Sequence, residues 1–262
     1  MTTEDFITNL FYRVDEGLSA VSKHVQAGLH PSEVVTLALL FALKGVGNRA
    51  FYRWVSRDYR GLFPHLPERT RLFRLFNRHQ VLTDRFMAEP TLLGVVDSYG
   101  IELIHPRREG RSEQQIGRKG VSNRRWIVGG KLCFVLNHLG LIVDWACDTA
   151  NVYDGTSFQD VVERQADFMV IFADDGFAKQ DWHPDNLRLC HRGEWNSRMI
   201  VETVLSMLTL VCHFKKVMHR VWAYFESRLA YTMAVFNLLV QWDGIQVDET
   251  GCVHFELAPF SL

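Results

Sequence analysis

Phe168-Met169-Val170-Ile171-Phe172-Ala173-Asp174-Asp175-Gly176-Phe177 is the stretch on which the fold turns. The apolar run from Phe168 to Ala173 reads as a buried strand. The acidic pair and glycine that follow have the composition of a tight turn. Upstream, Leu92 to Val96 is a second short apolar run, ended by Asp97. Downstream, Trp195-Asn196-Ser197-Arg198-Met199-Ile200-Val201-Glu202 opens a segment of helical periodicity. The chain thus offers two aspartates at strand ends, followed by a glutamate on a helix.

Around these stretches the pattern is mixed. Residues 1–90 read as helical throughout. Pro31-Ser32-Glu33 starts a helix with Ser32 as N-cap, and Val34 to Leu43 is its apolar body. Gly45-Val46-Gly47-Asn48 is a glycine turn. A second helix from Arg49 to about Tyr59 places Arg49, Arg53 and Arg57 on one face. Helix, glycine turn and basic helix outline a helix-turn-helix over 31–59, and the same outline fits an ordinary helical hairpin. Another helix spans Glu68 to about Met87. From Leu92 onward, Trp126 to Leu136 and Leu141 to Ala146 flank the hairpin signal Asn137-His138-Leu139-Gly140. Thr156 to Gln165 reads as a helix, Asn186 to Cys190 as a strand, and Trp195 to Val240 as two helices broken near 213–220. The expected fold class is α/β: a mixed sheet flanked by helices over 91–262, preceded by an all-helical region over 1–90.

The chain has 262 residues, 47% apolar and 23% charged, which is ordinary for a globular protein with a substantial core. A net charge of −1 carries no global preference for a polyanion. The acidic opening Met-Thr-Thr-Glu-Asp lacks a secretory signal pattern, and the longest apolar run, Val34 to Leu43, is too short to cross a bilayer. The five scattered cysteines fit reduced thiols in a cytoplasmic protein.

Moving a phosphodiester requires activating one oxygen and stabilising another, which two divalent cations held by rigid carboxylates can do. Magnesium needs few protein ligands, so Asp97, Asp174 and Glu202 would suffice. Strand ends of an open sheet are where such ligands converge. Each residue also has a plain structural reading: Asp97 as a turn cap before Ser98-Tyr99-Gly100, Asp174 as part of a turn, Glu202 as an exposed partner of Arg198. The combination and order favour the metal site.

This combination resembles the DDE transposases of bacterial insertion sequences, whose catalytic core is ribonuclease H-like. One large group carries a signature of Tyr, two residues, Arg, three residues, Glu, six residues, Lys. Here Trp195, Arg198 and Glu202 keep that spacing, Trp195 replaces the tyrosine, and Thr209 stands at the lysine position, the nearest lysines being Lys215 and Lys216. Ala173-Asp174-Asp175-Gly176-Phe177 resembles the segment around the family's second catalytic aspartate and favours Asp174 over Asp175. Gly130-Lys131-Leu132 with Asn137-His138-Leu139-Gly140 resembles the hairpin after the first. The resemblance implies DNA cleavage at element ends and strand transfer into target DNA, with two Mg2+ or Mn2+ ions on Asp97, Asp174 and Glu202. It also implies a dimer, a nucleoid-associated cytoplasmic location, and Arg198 as a phosphate contact.

Between His105 and Lys131 lie Arg107, Arg108, Arg111, Arg118, Lys119, Arg124, Arg125 and Lys131, against only Glu109 and Glu113. Beside an acidic site, this density points to DNA contact, with a solvated loop as the plain alternative. Arg49 and Arg53 are the expected DNA-facing residues of the basic helix. Two rival functions remain: a metal-dependent nuclease without strand transfer, and a DNA-binding protein with a decayed site.

Overall fold

The computed structural model describes residues 1–122, 124–177, 183–190, 198–215, 219–247, 253–254 and 260. Four helices lead the chain: α1 (Thr3–Gly17), α2 (Pro31–Lys44), α3 (Asn48–Asp58) and α4 (Arg69–His79). The helix read over Glu68 to about Met87 continues past α4 only as a 3-10 stretch, Gln80–Phe86.

The start of α2 corrects one expectation. The cap is His30, not Ser32: its ring accepts from Ser32 N, and the Glu33 carboxylate accepts from His30 N at 2.6 Å. Proline at the first helical position fixes its own φ and takes N1, which puts the cap at His30, two places upstream of Ser32. α2 ends at Gly45, whose φ of +60° is a left-handed conformation that glycine adopts without strain. From Pro31 to Leu43, every residue except the half-buried Glu33 is buried. An amphipathic pattern is missing because the helix is enclosed on all sides. Among the described residues, no single helix is long and apolar enough to cross a membrane.

β1 (Leu93–Ile104), β2 (Arg118–Ser122), β3 (Arg125–Asn137), β4 (Ile142–Thr149), β5 (Val170–Ala173) and β6 (Leu187–Leu189) form one mixed sheet. β1 runs antiparallel to β3 and parallel to β5, which is parallel to β6. β2 and β4 share the far edge of β3, pairing with 125–129 and 130–136. The curled sheet, antiparallel on one side and parallel on the other, is ribonuclease H-like. The basic segment read as a loop is therefore partly strand, because Arg118 to Ser122 pairs with Arg125 to Gly129. Likewise β1 does not stop at Asp97 but continues seven residues beyond it.

Alternation along the strands divides the interior in two. Val96, Cys133, Val135 and Ile171 pack with Phe158, Val161 and Val162 of the short helices α5 (Asp154–Ser157) and α6 (Gln159–Glu163) and the residue between them. The single helix expected over 156–165 is broken at Phe158. On the other face, Ile101, Leu132, Phe134 and Leu136 join α7 (Arg198–Leu210), α8 (Trp222–Val240) and the N-terminal helices. α8 ties these parts together. Asn237 Nδ2 donates to Phe86 O at 3.0 Å and Ile142 O at 2.7 Å, while its Oδ1 accepts from Ile142 N at 2.9 Å. Tyr231 donates to Phe76 O at 2.9 Å. Two-residue strands β7 (Gln246–Val247) and β8 (Val253–His254) close the described chain.

Candidate active site

Val95 pairs with Phe172 in the parallel register of β1 and β5. Two steps further, the same register sets Asp97 level with Asp174, the first residue past β5. Both carboxylates, with Glu202 of α7, line one open cleft of about 610 Å³. Asp97 thus sits not at the end of its strand but where its parallel neighbour ends, which opens the sheet edge beside it.

Each carboxylate is held by local chemistry. Ser98 N donates to Asp97 Oδ1 at 2.7 Å. Gly176 N donates to Asp174 Oδ1 at 2.9 Å, an Asx turn anchored by the buried Phe177. A Cβ on Gly176 would sit 2.8 Å from that same oxygen, so a larger residue there would push the Asp174 carboxylate aside. Asp174 and Asp175 are both exposed, and Asp175 does not line the cleft. On α7, Val201, Val204 and Leu208 face the core, while Glu202, Leu205, Ser206 and Thr209 present the next stripe to the cleft.

Sequence reasoning missed a fourth acid, Asp154, at the start of α5. Its Oδ2 accepts from Ser98 Oγ at 2.7 Å, and its Oδ1 lies 2.9 Å from Lys131 Nζ. Lys131 also donates to Val152 O at 2.9 Å. The signal was Tyr153-Asp154-Gly155, an acid before a glycine, which carried nothing to separate it from an ordinary turn. Lys131, counted as one member of the basic run, is instead a counter-ion on the cleft floor. Lys215 lines the cleft too, its Nζ 4.5 Å above the Tyr99 ring centroid. Burial, with the negative charge of Asp154, Asp97 and Asp144, pushes the Cys133 thiol well above its ordinary range.

Oxygen donors of this kind suit hard divalent cations. Among the described residues, no three His, Cys, Asp or Glu side chains stand close enough to share one ion. The acids line the cleft without closing on a single point.

Of the basic residues, Arg107, Arg108, Arg111, Arg118, Arg124 and Arg125 are exposed. Lys119 is engaged, 3.0 Å from Glu109 and 5.4 Å from the Trp126 ring centroid. The β2–β3 hairpin borders the cleft through Val121 and Ser122. Arg49 and Arg53 are exposed on α3, away from the cleft lining, and Arg57 is taken by Asp58 at 2.6 Å. α7 begins at Arg198, but that side chain, like Trp195 and Glu194, lies outside the described residues. Glu226, another acid near the start of α8, lines a separate hollow with Asp84 and Arg164.

Residues 89–199 match the family described as transposase DDE domain. No curated protein and no solved structure matches the chain.

Proposed function

We propose, for a chain that carries a transposase DDE domain, that Asp97, Asp174 and Glu202 are the acids with which it cleaves DNA at element ends and joins them to a target. What carries this reading is that three acids from β1, the turn after β5 and α7 line one cleft. They would hold two Mg2+ or Mn2+ ions, which when bound activate the attacking oxygen and stabilise the departing one.

The chain's own groups prepare the site. The Ser98 amide and Gly176 amide orient Asp97 and Asp174, and Asp154 links Ser98 to Lys131. Lys215 and the arginines of the β2–β3 hairpin supply phosphate contacts along the rim. α2 and α3, bent by 119° across a glycine turn, have the proportions of a helix-turn-helix, with Arg49 and Arg53 toward the groove. Residues 1–90 thus recognise the ends, and 91–262 cut and join. Two ends handled together call for a homodimer, and the substrate places the protein in the cytoplasm at the nucleoid.

The test uses a labelled duplex bearing the element's terminal sequence, with Mg2+ or Mn2+. Asp97→Asn, Asp174→Asn and Glu202→Gln should each abolish cleavage while retaining duplex binding. Full cleavage by any of the three removes that residue from the site. A pre-cut end yielding no joined product would establish the nuclease reading instead.

A further inference from the structure

A second hollow, of about 340 Å³, lies where the α2–α3 turn meets the start of α8. Its lining includes Gly47 and Asn48 at the head of α3, Val221 at the head of α8, and His219, Arg220 and Arg228. Neither helix has a side-chain N-cap. The leading N–H groups of both helices therefore lack a capping partner, and both helix dipoles present their positive ends here. A Cβ added to Gly47 would meet nothing within 4 Å, so the backbone at the head of α3 is open to approach.

Arg228 is the second, independent observation. It is only 3% exposed, yet among the described residues it has no carboxylate partner. One terminal nitrogen donates to Ala42 O at 3.3 Å, at the end of α2, and the guanidinium stacks 4.7 Å from the Phe41 ring centroid. Among the described residues, its Nε has no hydrogen-bond partner. A buried cation with a spare donor is costly unless an anion relieves it. Burial and Arg228 together push His219 down to about 4, so at neutral pH its ring is uncharged and keeps one N–H to donate.

We infer that this hollow is a phosphate site, and that its occupant is a backbone phosphate of the duplex lying along α3. The inference rests on the reading above that the chain acts on DNA. It adds the anchor that would fix how α3 sits: two helix N-termini, Arg220 at the surface and Arg228 beneath. Among the described residues, every lining group that carries charge here is cationic, which is the complement of a phosphodiester.

The experiment measures the affinity of the full chain for labelled duplex DNA in chelator across a series of KCl concentrations. Asn48→Asp puts a carboxylate at the first position of α3, where it stabilises the helix while repelling a phosphate. Arg220→Ala removes the exposed charge, and Arg228→Met removes the buried one while keeping the volume. Each variant should bind more weakly on every sequence, with a salt slope shallower by about one. Inorganic phosphate at low salt should raise the melting temperature of the wild type and not of Asn48→Asp.

Folded Asn48→Asp and Arg220→Ala proteins with unchanged affinity and slope would overturn the inference and leave the cleavage reading standing. Protection by phosphate without any change in DNA binding would assign the hollow to a free phosphate, which also overturns it. A wild-type chain that binds no duplex would defeat both readings.

Discussion

Lys131 Nζ stands 2.9 Å from Asp154 Oδ1 on the floor of the cleft, with their side chains 12% and 17% exposed. Removing one member of so enclosed a pair leaves the other charge without compensation. Lys131→Met should therefore cost about 3 kcal/mol in urea unfolding. Lys131→Met combined with Asp154→Leu should recover part of that loss, because neither charge is then buried alone. Equal stability of Lys131→Met and wild type would show that the pair does not matter.

Divalent cations should stabilise the folded chain through the three acids of the cleft. At a Mn2+ concentration a hundredfold above its dissociation constant, the gain is about 2.7 kcal/mol, seen as a rise in melting temperature. Asp174→Asn should lose most of that rise. Asp175→Asn, one residue on but off the cleft lining, should keep it.

Much of this architecture was legible because burial writes itself into apolar runs. The unbroken apolar run from Phe168 to Ala173 marks β5 over Val170–Ala173, where Ile171 and Ala173 are buried, although Phe168 itself is exposed. α2 gave itself away by the same continuity. Asp97 was placed beside the right neighbour for a partly wrong reason: the apolar run breaks there, but Tyr99, Ile101 and Leu103 keep alternating with polar residues, and that period of two carries β1 on to Ile104. Asp154 left no such trace. Its role arises from contacts with Ser98 and Lys131, 56 and 23 residues away, and no local pattern encodes a contact of that range. The His30 cap was local but uncommon, since a ring nitrogen stood in for the usual hydroxyl or carboxylate.

Acid should weaken the fold through His219. Its folded-state value of about 4 lies below the ordinary 6.5, with burial the larger cause and the Arg228 charge the smaller. Between those values the unfolded chain binds a proton that the folded chain refuses, so this contribution is complete above pH 6.5 and disappears as the pH falls through 4. The loss amounts to about 3 kcal/mol. Unfolding free energies measured from pH 7 to pH 4 should show this slope in the wild type and a flatter one in His219→Gln.

Gly45 is required twice over. Its φ is +60°, and an added Cβ would lie 2.5 Å from the His213 ring. Gly45→Ala should cost at least about 2 kcal/mol, combining the left-handed backbone with the displaced ring. Gly47→Ala, with open space around its Cβ and an ordinary φ of −74°, should shift stability by less than about 1 kcal/mol. Thermal melts of the two proteins side by side make the comparison.

Thermal melts of a different kind would show what Asn237 implies. Its amide joins α8, the sheet and the segment after α4 with three hydrogen bonds inside a continuous apolar interior that runs from Phe6 to Phe134. The leading helices are thus no detachable cassette. Exchanging them for another reader of DNA would expose the flank of α8 and unravel the cutting half along with them.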